Sequence, residues 1–194
     1  ELPIVIETSG YSEEIKRNYI GALVTRVESL VNGIAGMILS QNEIDCKILF
    51  DENCIVDLSR VGSNETKALL MGIVFLKLQE YRMNEKSINR PLKHVTVLEE
   101  AHNLLRKTSY SQSNEGANLQ GKAVEMIANA IAEMRTYGEG FIIADQAPGL
   151  LDESVIRNTN TKIIHRLPDQ NDRELVGASA NLDVEQIVEL SKLE

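Results

Sequence analysis

The chain has 194 residues, 43% of them hydrophobic and 25% charged, and 20 Lys+Arg against 29 Asp+Glu leave a formal charge of −9. These proportions suit one folded globular domain and exclude wholesale disorder, while the acidic balance excludes a uniformly basic glove for DNA or anionic lipid. Aromatics at 4% with no Trp offer no base-stacking platform, and the longest uncharged run, Ser29 to Asn42, falls short of the about 20 apolar residues of a membrane span.

In chain order, Leu2 to Ile6 reads as a strand, and Ile15, Tyr19, Leu23, Val27 and Leu30 trace an amphipathic helix. Cys46 and Cys54 form no CxxC pair and read as reduced, buried thiols of a cytosolic protein. Four β-branched apolar runs follow as expected strands: 54–58, 94–98, 141–144 and 162–165. The largely continuous apolar centres of the first three are those of strands buried on both faces. Between the first two, a helix runs from Asn64 to about Met83, capped by Ser63 or Asn64 and so densely apolar that most of it should be covered. A polar stretch from Thr108 to Asn118 reads as a mobile loop. The next helix places Leu119, Ala123, Met126, Ile127, Ala130, Ile131 and Met134 on its buried stripe. Asp152 can cap a short helix to Arg157, and two further helices are expected at 172–178 and 183–190. Strands alternating with helices mean βαβ units, hence an α/β fold with a mainly parallel sheet flanked by helices.

Open parallel sheets bind ligands beyond the carboxyl ends of their strands. Here those ends are polar in every case: Asp57, Glu99-Glu100, Asp145-Gln146 and Arg166. Any one of them can simply carry a strand into water; four together, with an acid pair and a Gln among them, point to a site along that edge. A zinc site is not favoured, because His102 lies near the acid pair without an HExxH pattern; it reads as a hydrogen-bonding helix residue, and His94 and His165 as strand-end residues.

The segment His94-Val-Thr-Val-Leu-Glu99-Glu100-Ala-His102 resembles the Walker B motif of P-loop NTPases. It is followed by Arg135-Thr-Tyr-Gly138-Glu-Gly-Phe-Ile-Ile-Ala-Asp145-Gln146-Ala147-Pro148 and then by Val155-Ile156-Arg157-Asn158 running into Lys162-Ile163-Ile164-His165-Arg166. With Val56-Asp57-Leu58-Ser59-Arg60 ahead of it, this order over about residues 50–190 resembles the HerA/FtsK branch of RecA-like motor ATPases, the HerA-like subgroup most of all. The resemblance implies a three-layer RecA-like core, ATP and Mg2+ as cofactors, DNA as partner and a homo-hexameric ring, with a nuclease or another effector as a further partner and a cytoplasmic location. It assigns Glu99 to Mg2+ through water, Glu100 to the catalytic base, Gln146 to the γ-phosphate sensor and Arg135 to the arginine finger of a neighbouring subunit. Arg157 and Asn158 fall in the turn before the last core strand and are counted with the nucleotide-binding residues. Arg135 also has a plain reading as an exposed residue favouring a helix dipole, and Gln146 as a solvated strand end. Two departures stand out: Gln146-Ala147-Pro148 replaces Gln-Arg-Pro, and Asp145 replaces a more usual Thr or Ser.

A P-loop enzyme needs GxxxxGK[ST] to cradle phosphate. The one near match, Gly116-Ala-Asn-Leu-Gln-Gly121-Lys122-Ala123, lacks the hydroxyl, follows no buried strand and comes after the acid pair; Lys122 reads as a polar helix-face residue. The true loop is therefore expected upstream of Glu1, with 1–50 a mainly helical connecting region and 51–194 the acid-pair, sensor and finger part of one ATPase domain. A conjugation or secretion motor shares these motifs and is the neighbouring alternative, as is a nucleotide-gated scaffold that assembles an effector without moving DNA.

Overall fold

The computed structural model describes residues 2–30, 32, 36, 43–84, 88–107 and 115–193. Over these the protein is α/β, with a small parallel sheet and many helices. In chain order the elements are α1 (Leu2–Glu7), α2 (Glu13–Tyr19), a π-helical turn (Ile20–Val24), α3 (Thr25–Leu30), α4 (Cys46–Asp51), α5 (Asn64–Met83), β1 (His94–Glu99), α6 (Glu115–Met134), β2 (Glu139–Ala144), α7 (Glu153–Asn158), α8 (Gln170–Ser179) and α9 (Val184–Glu189). Short 3-10 turns at Ala101–Asn103, Arg135–Tyr137 and Pro148–Leu150 join them. No described helix is long and apolar enough to cross a membrane.

Helix α5 starts where its sequence says: the Ser63 hydroxyl accepts the Thr66 N–H at 3.3 Å, satisfying one of the orphan amides of the first turn. Leu70, Phe75, Leu78 and Arg82 are buried and most of the remaining positions are half-buried, so most of the helix is covered as expected, although Leu69, Leu76 and Met83 face solvent. Asp152, Asp169 and Asp183 cap α7, α8 and α9 in the same way, the last with a reciprocal Gln186 contact. In α6 the buried stripe runs through Val124, Ala128, Ala130 and Met134, while Ala123 and Met126, expected inside, are exposed. The decoy Gly121-Lys122-Ala123 lies within α6, its amides spent on the helix ladder and Lys122 exposed. Of the expected loop 108–118, residues 108–114 lie outside the described residues and the remainder opens α6.

Strands β1 and β2 pair in parallel, His94 against Glu139 through Glu99 against Ala144. Their two faces differ. Leu98, Phe141 and Ile143 pack on the core formed by Phe75 of α5, Ala128 and Ala130 of α6, and Leu104, Leu105, Leu151, Val155 and Ile156. Phe75 and Phe141 meet with ring centroids 6.0 Å apart. Val95, Val97 and Ile142 share the other face and are exposed, so burial alternates instead of extending to both faces. One helical layer is therefore described, on one face.

Three strand expectations are corrected. Leu2 to Ile6 is helical, a short apolar run being compatible with either state. Residues 54–58 and 162–165 form no ladder, and Ile55 is 93% and Ile163 84% exposed. A β-branched run becomes a strand only where another backbone pairs with it, and neither run pairs with β1 or β2. The stripe Ile15, Tyr19, Leu23 and Val27 is helical but exposed, its helices packing mainly on one another. The two thiols are free, with Cys46 half-buried and Cys54 exposed rather than both buried.

At the amino ends of the strands lies a buried charge network. Arg82 of α5 is fully buried; its Nε donates to Glu139 Oε2 at 2.9 Å, its Nη1 to Asp51 Oδ1 at 2.7 Å and its Nη2 to the Phe50 carbonyl. Glu139 Oε1 accepts from Thr96 Oγ1 and His94 Nδ1, both at 2.7 Å. Burial opposes the Arg82 charge, but Asp51 and Glu139 outweigh it and hold the guanidinium above its ordinary range. Burial likewise pushes Asp51 up, yet hydrogen bonds from Arg82, Tyr81 and Lys93 prevail and set it at about 2. Gly138, at φ +82°, lets the chain turn into β2 here, since a Cβ would sit 2.7 Å from the Pro91 carbonyl oxygen.

Candidate functional site

The opposite, carboxyl ends of β1 and β2 gather the acid pair and the sensor-like Gln. Glu99 ends β1 on the exposed face; Glu100 follows at φ 49° and ψ 47°, the left-handed region that non-glycine residues adopt at a cost of roughly 1–2 kcal/mol. That twist separates the adjacent carboxylates. The Glu100 side chain, 48% exposed, turns toward the end of β2, where Gln146 Nε2 donates to its Oε1 at 2.8 Å. Strain of this kind persists where surrounding structure fixes it, and the anchors are evident. Ala101 and Leu105 are wholly buried, and the Glu100 carbonyl accepts from Asn103 N at 2.9 Å and Asn103 Nδ2 at 3.0 Å.

The segments after the two strands are tied together. Arg106 and Leu151 form an isolated antiparallel bridge, with Asp152 N donating to the Leu105 carbonyl at 2.9 Å and Lys107 N to the Leu150 carbonyl at 2.8 Å. Asp172 of α8 accepts the Gly149 N–H at 2.9 Å and closes the turn after Gln146 from outside. Asp145 bridges both strand ends: Oδ2 accepts His102 N at 2.8 Å and lies 2.9 Å from His102 Nδ1, while Oδ1 accepts Ala147 N at 2.9 Å.

Of the four strand endings singled out by sequence, two meet here. Asp57 instead closes a local turn, its Oδ1 accepting Ser59 N at 2.8 Å, and that backbone hydrogen bond holds its carboxyl below the ordinary range. Arg166 makes no hydrogen bond with the cluster among the described residues. Arg135 lies at the other end of β2, roughly 20 Å away at about 3.3 Å per strand residue, and is not brought to Glu100 within the chain. Arg157 pairs with Glu153 one turn back at 2.7 Å on the exposed side of α7, with Asn158 beside it. His102 fulfils its hydrogen-bonding expectation, in a 3-10 turn. Asp145 was visible in the sequence as an acid at a strand end and as a departure from the family pattern, but its contact with His102 was not.

Magnesium takes hard oxygen donors, commonly one or two carboxylates completed by phosphates and waters. Glu99, an exposed carboxylate without a hydrogen bond or ion pair among the described residues, fits that donor set. No cluster of three or more His, Cys, Asp or Glu capable of an all-protein metal site occurs among the described residues.

The chain is thus an α/β protein whose small parallel sheet gathers paired acids and a Gln at its carboxyl edge, the edge at which open parallel sheets bind ligands. No protein-family model matches the chain. Its sequence is similar to curated proteins named DNA double-strand break repair helicase HerA. That of Sulfolobus acidocaldarius is 26% identical over 197 residues, covering 100% of this chain and 38% of the relative. That of Saccharolobus solfataricus is 24% identical, covering 97% and 36%, and that of Sulfurisphaera tokodaii 25%, covering 89% and 32%. The chain thus spans about a third of the length of these relatives, and the similarity supports a HerA-like relationship.

Proposed function

We propose that the chain is the acid-pair and sensor part of a RecA-like ATPase that drives a HerA-type DNA helicase or translocase. The observation that carries this reading is the 2.8 Å hydrogen bond from Gln146 to Glu100, joining the ends of neighbouring parallel strands 46 residues apart in sequence. The similarity to HerA helicases points the same way. In this reading Glu100 orients a water for in-line attack on the γ-phosphate and takes its proton as the bond to ADP breaks. Gln146 senses the γ-phosphate through the amide now spent on Glu100. Mg2+, held by Glu99 through water, neutralises phosphate charge when bound.

The rest of the reading concerns the assembly. ATP sits between subunits of a hexameric ring, Arg135 reaches the neighbouring subunit's nucleotide, and Arg157 and Asn158 contribute to nucleotide binding. A distance of roughly 20 Å between Arg135 and Gln146 suits a finger that acts on another copy better than one acting in its own. The phosphate-cradling loop comes from outside these 194 residues, which hold no GxxxxGK[ST]. An exposed apolar sheet face beside Glu99 leaves room for a second layer of the RecA-like core.

The test is phosphate release from Mg-ATP by the intact protein, with and without DNA. Wild type hydrolyses ATP faster with DNA and moves on it; Glu100→Gln binds DNA but loses about 100-fold or more in turnover. Undiminished turnover in the variant rejects the base. ATP-dependent assembly without movement on DNA favours a scaffold, and recruitment to a membrane complex favours a conjugation or secretion motor.

A further inference from the structure

We infer that Asp145 and His102 form a positioning pair that aims Glu100, an inference that rests on the reading of Glu100 as the base. The Asp145 side chain is 3% exposed, and among the described residues no Lys or Arg pairs with it. Taking a carboxylate out of water without a cation is costly unless its lone pairs are filled. Three contacts fill them, and they come from both strand ends: the backbone and ring of His102 after β1, and the backbone of Ala147 after β2. Merely capping the 3-10 turn after Glu100 would need one acceptor, at His102 N. The second contact of Oδ2, to the ring, is what capping leaves unexplained.

A carboxylate only accepts, so the proton of the neutral imidazole resides on Nδ1, facing Asp145 at 2.9 Å. The same Nδ1 lies 3.5 Å from Glu100 Oε2; with its one proton directed at Asp145, this is a packing contact rather than a hydrogen bond. Glu100 is therefore bounded on both oxygens, by the Gln146 amide at Oε1 and by the imidazole edge at Oε2. A half-exposed Glu on a left-handed residue would otherwise sample several rotamers, and misplacement of a base by about 1 Å can cost on the order of 100-fold. When the γ-phosphate draws Gln146 away, His102 is the group that still limits where the Glu100 carboxylate can swing. Asp145 is the part that fixes the ring.

The test measures kcat, KM for ATP and thermal melting of the intact protein carrying Asp145→Asn, His102→Ala and His102→Asn. Asn at 145 turns one acceptor into a donor facing a donor, and Ala at 102 removes the ring. Both are expected to lower kcat about 10- to 100-fold with KM within about twofold. His102→Asn offers an amide N–H near the Nδ1 position and is expected to recover most of the lost kcat while melting as wild type does. If Asp145→Asn does not fold, the two His102 variants decide, since that side chain is partly exposed. A kcat within about twofold of wild type in His102→Ala overturns the inference, as does a change confined to KM. Full activity in Glu100→Gln would instead reject the base itself, whatever the His102 variants do.

Discussion

Strands β1 and β2 carry a polar cluster at each end, and the two clusters are built on opposite terms. At the amino end Glu139 is 1% exposed and its oxygens are filled by Arg82, His94 and Thr96, with Asp51 taking a second edge of the guanidinium. Charge there is matched and closed off from water. At the carboxyl end Glu100 is half-exposed on a left-handed residue, hydrogen-bonded by an amide and bordered by an imidazole edge, and no Lys or Arg pairs with it among the described residues. One cluster has its valences satisfied from within the chain and joins α4, α5 and both strands. The other keeps open acceptors at the sheet edge where ligands of parallel α/β proteins bind. Polarity at a strand end is thus uninformative alone; compensation and exposure separate a closed, internally matched cluster from one left open to solvent.

The contrast can be broken by removing cations and sharpened by moving pH. Arg82→Met leaves Glu139 buried without its cation and should cost about 3–5 kcal/mol, read as a fall in melting temperature on the order of 10 °C, with residual turnover below the transition little changed. A melting temperature near wild type would deny the amino-end network its structural role. Acid titration gives a smaller effect. Asp51 stands at about 2 in the fold against an ordinary value of 3.8, so its stabilisation is present above 3.8 and is lost as pH falls through the window down to about 2. The stability difference between wild type and Asp51→Asn should therefore shrink over that window in denaturant melts; a constant difference would contradict the pairing. Arg157→Ala is the mildest change, removing an exposed pair worth roughly 0.3–0.5 kcal/mol, and if Arg157 contacts nucleotide it raises KM for ATP without altering the melt.

Much of the frame was legible because its signals are local. Ser63 announced α5, Asp152 announced α7, and two β-branched runs announced the strands that pair. What escaped depends on partners distant in sequence. Residues 54–58 and 162–165 have the composition of strands but no ladder, because no short pattern states which backbone lies alongside. Arg82 and Glu139, 57 residues apart, look like ordinary surface charges, and only folding α5 onto β2 buries them together. Within the candidate site, the acid pair and Gln146 were readable from spacing, whereas the Asp145–His102 contact spans 43 residues and was not. Met126 was misplaced for a simpler reason: a helix stripe can rotate by one position without breaking its three- and four-residue period, and Val124 and Ala128 took the buried places.

The most direct test of the claim that the two ends differ in kind is to measure phosphate release from Mg-ATP and thermal melting together on Glu100→Gln in the intact protein. The account predicts turnover lowered by about 100-fold or more with a melting temperature within about 2 °C of wild type. Retained turnover, or a loss that merely follows a collapse in melting temperature, would contradict it.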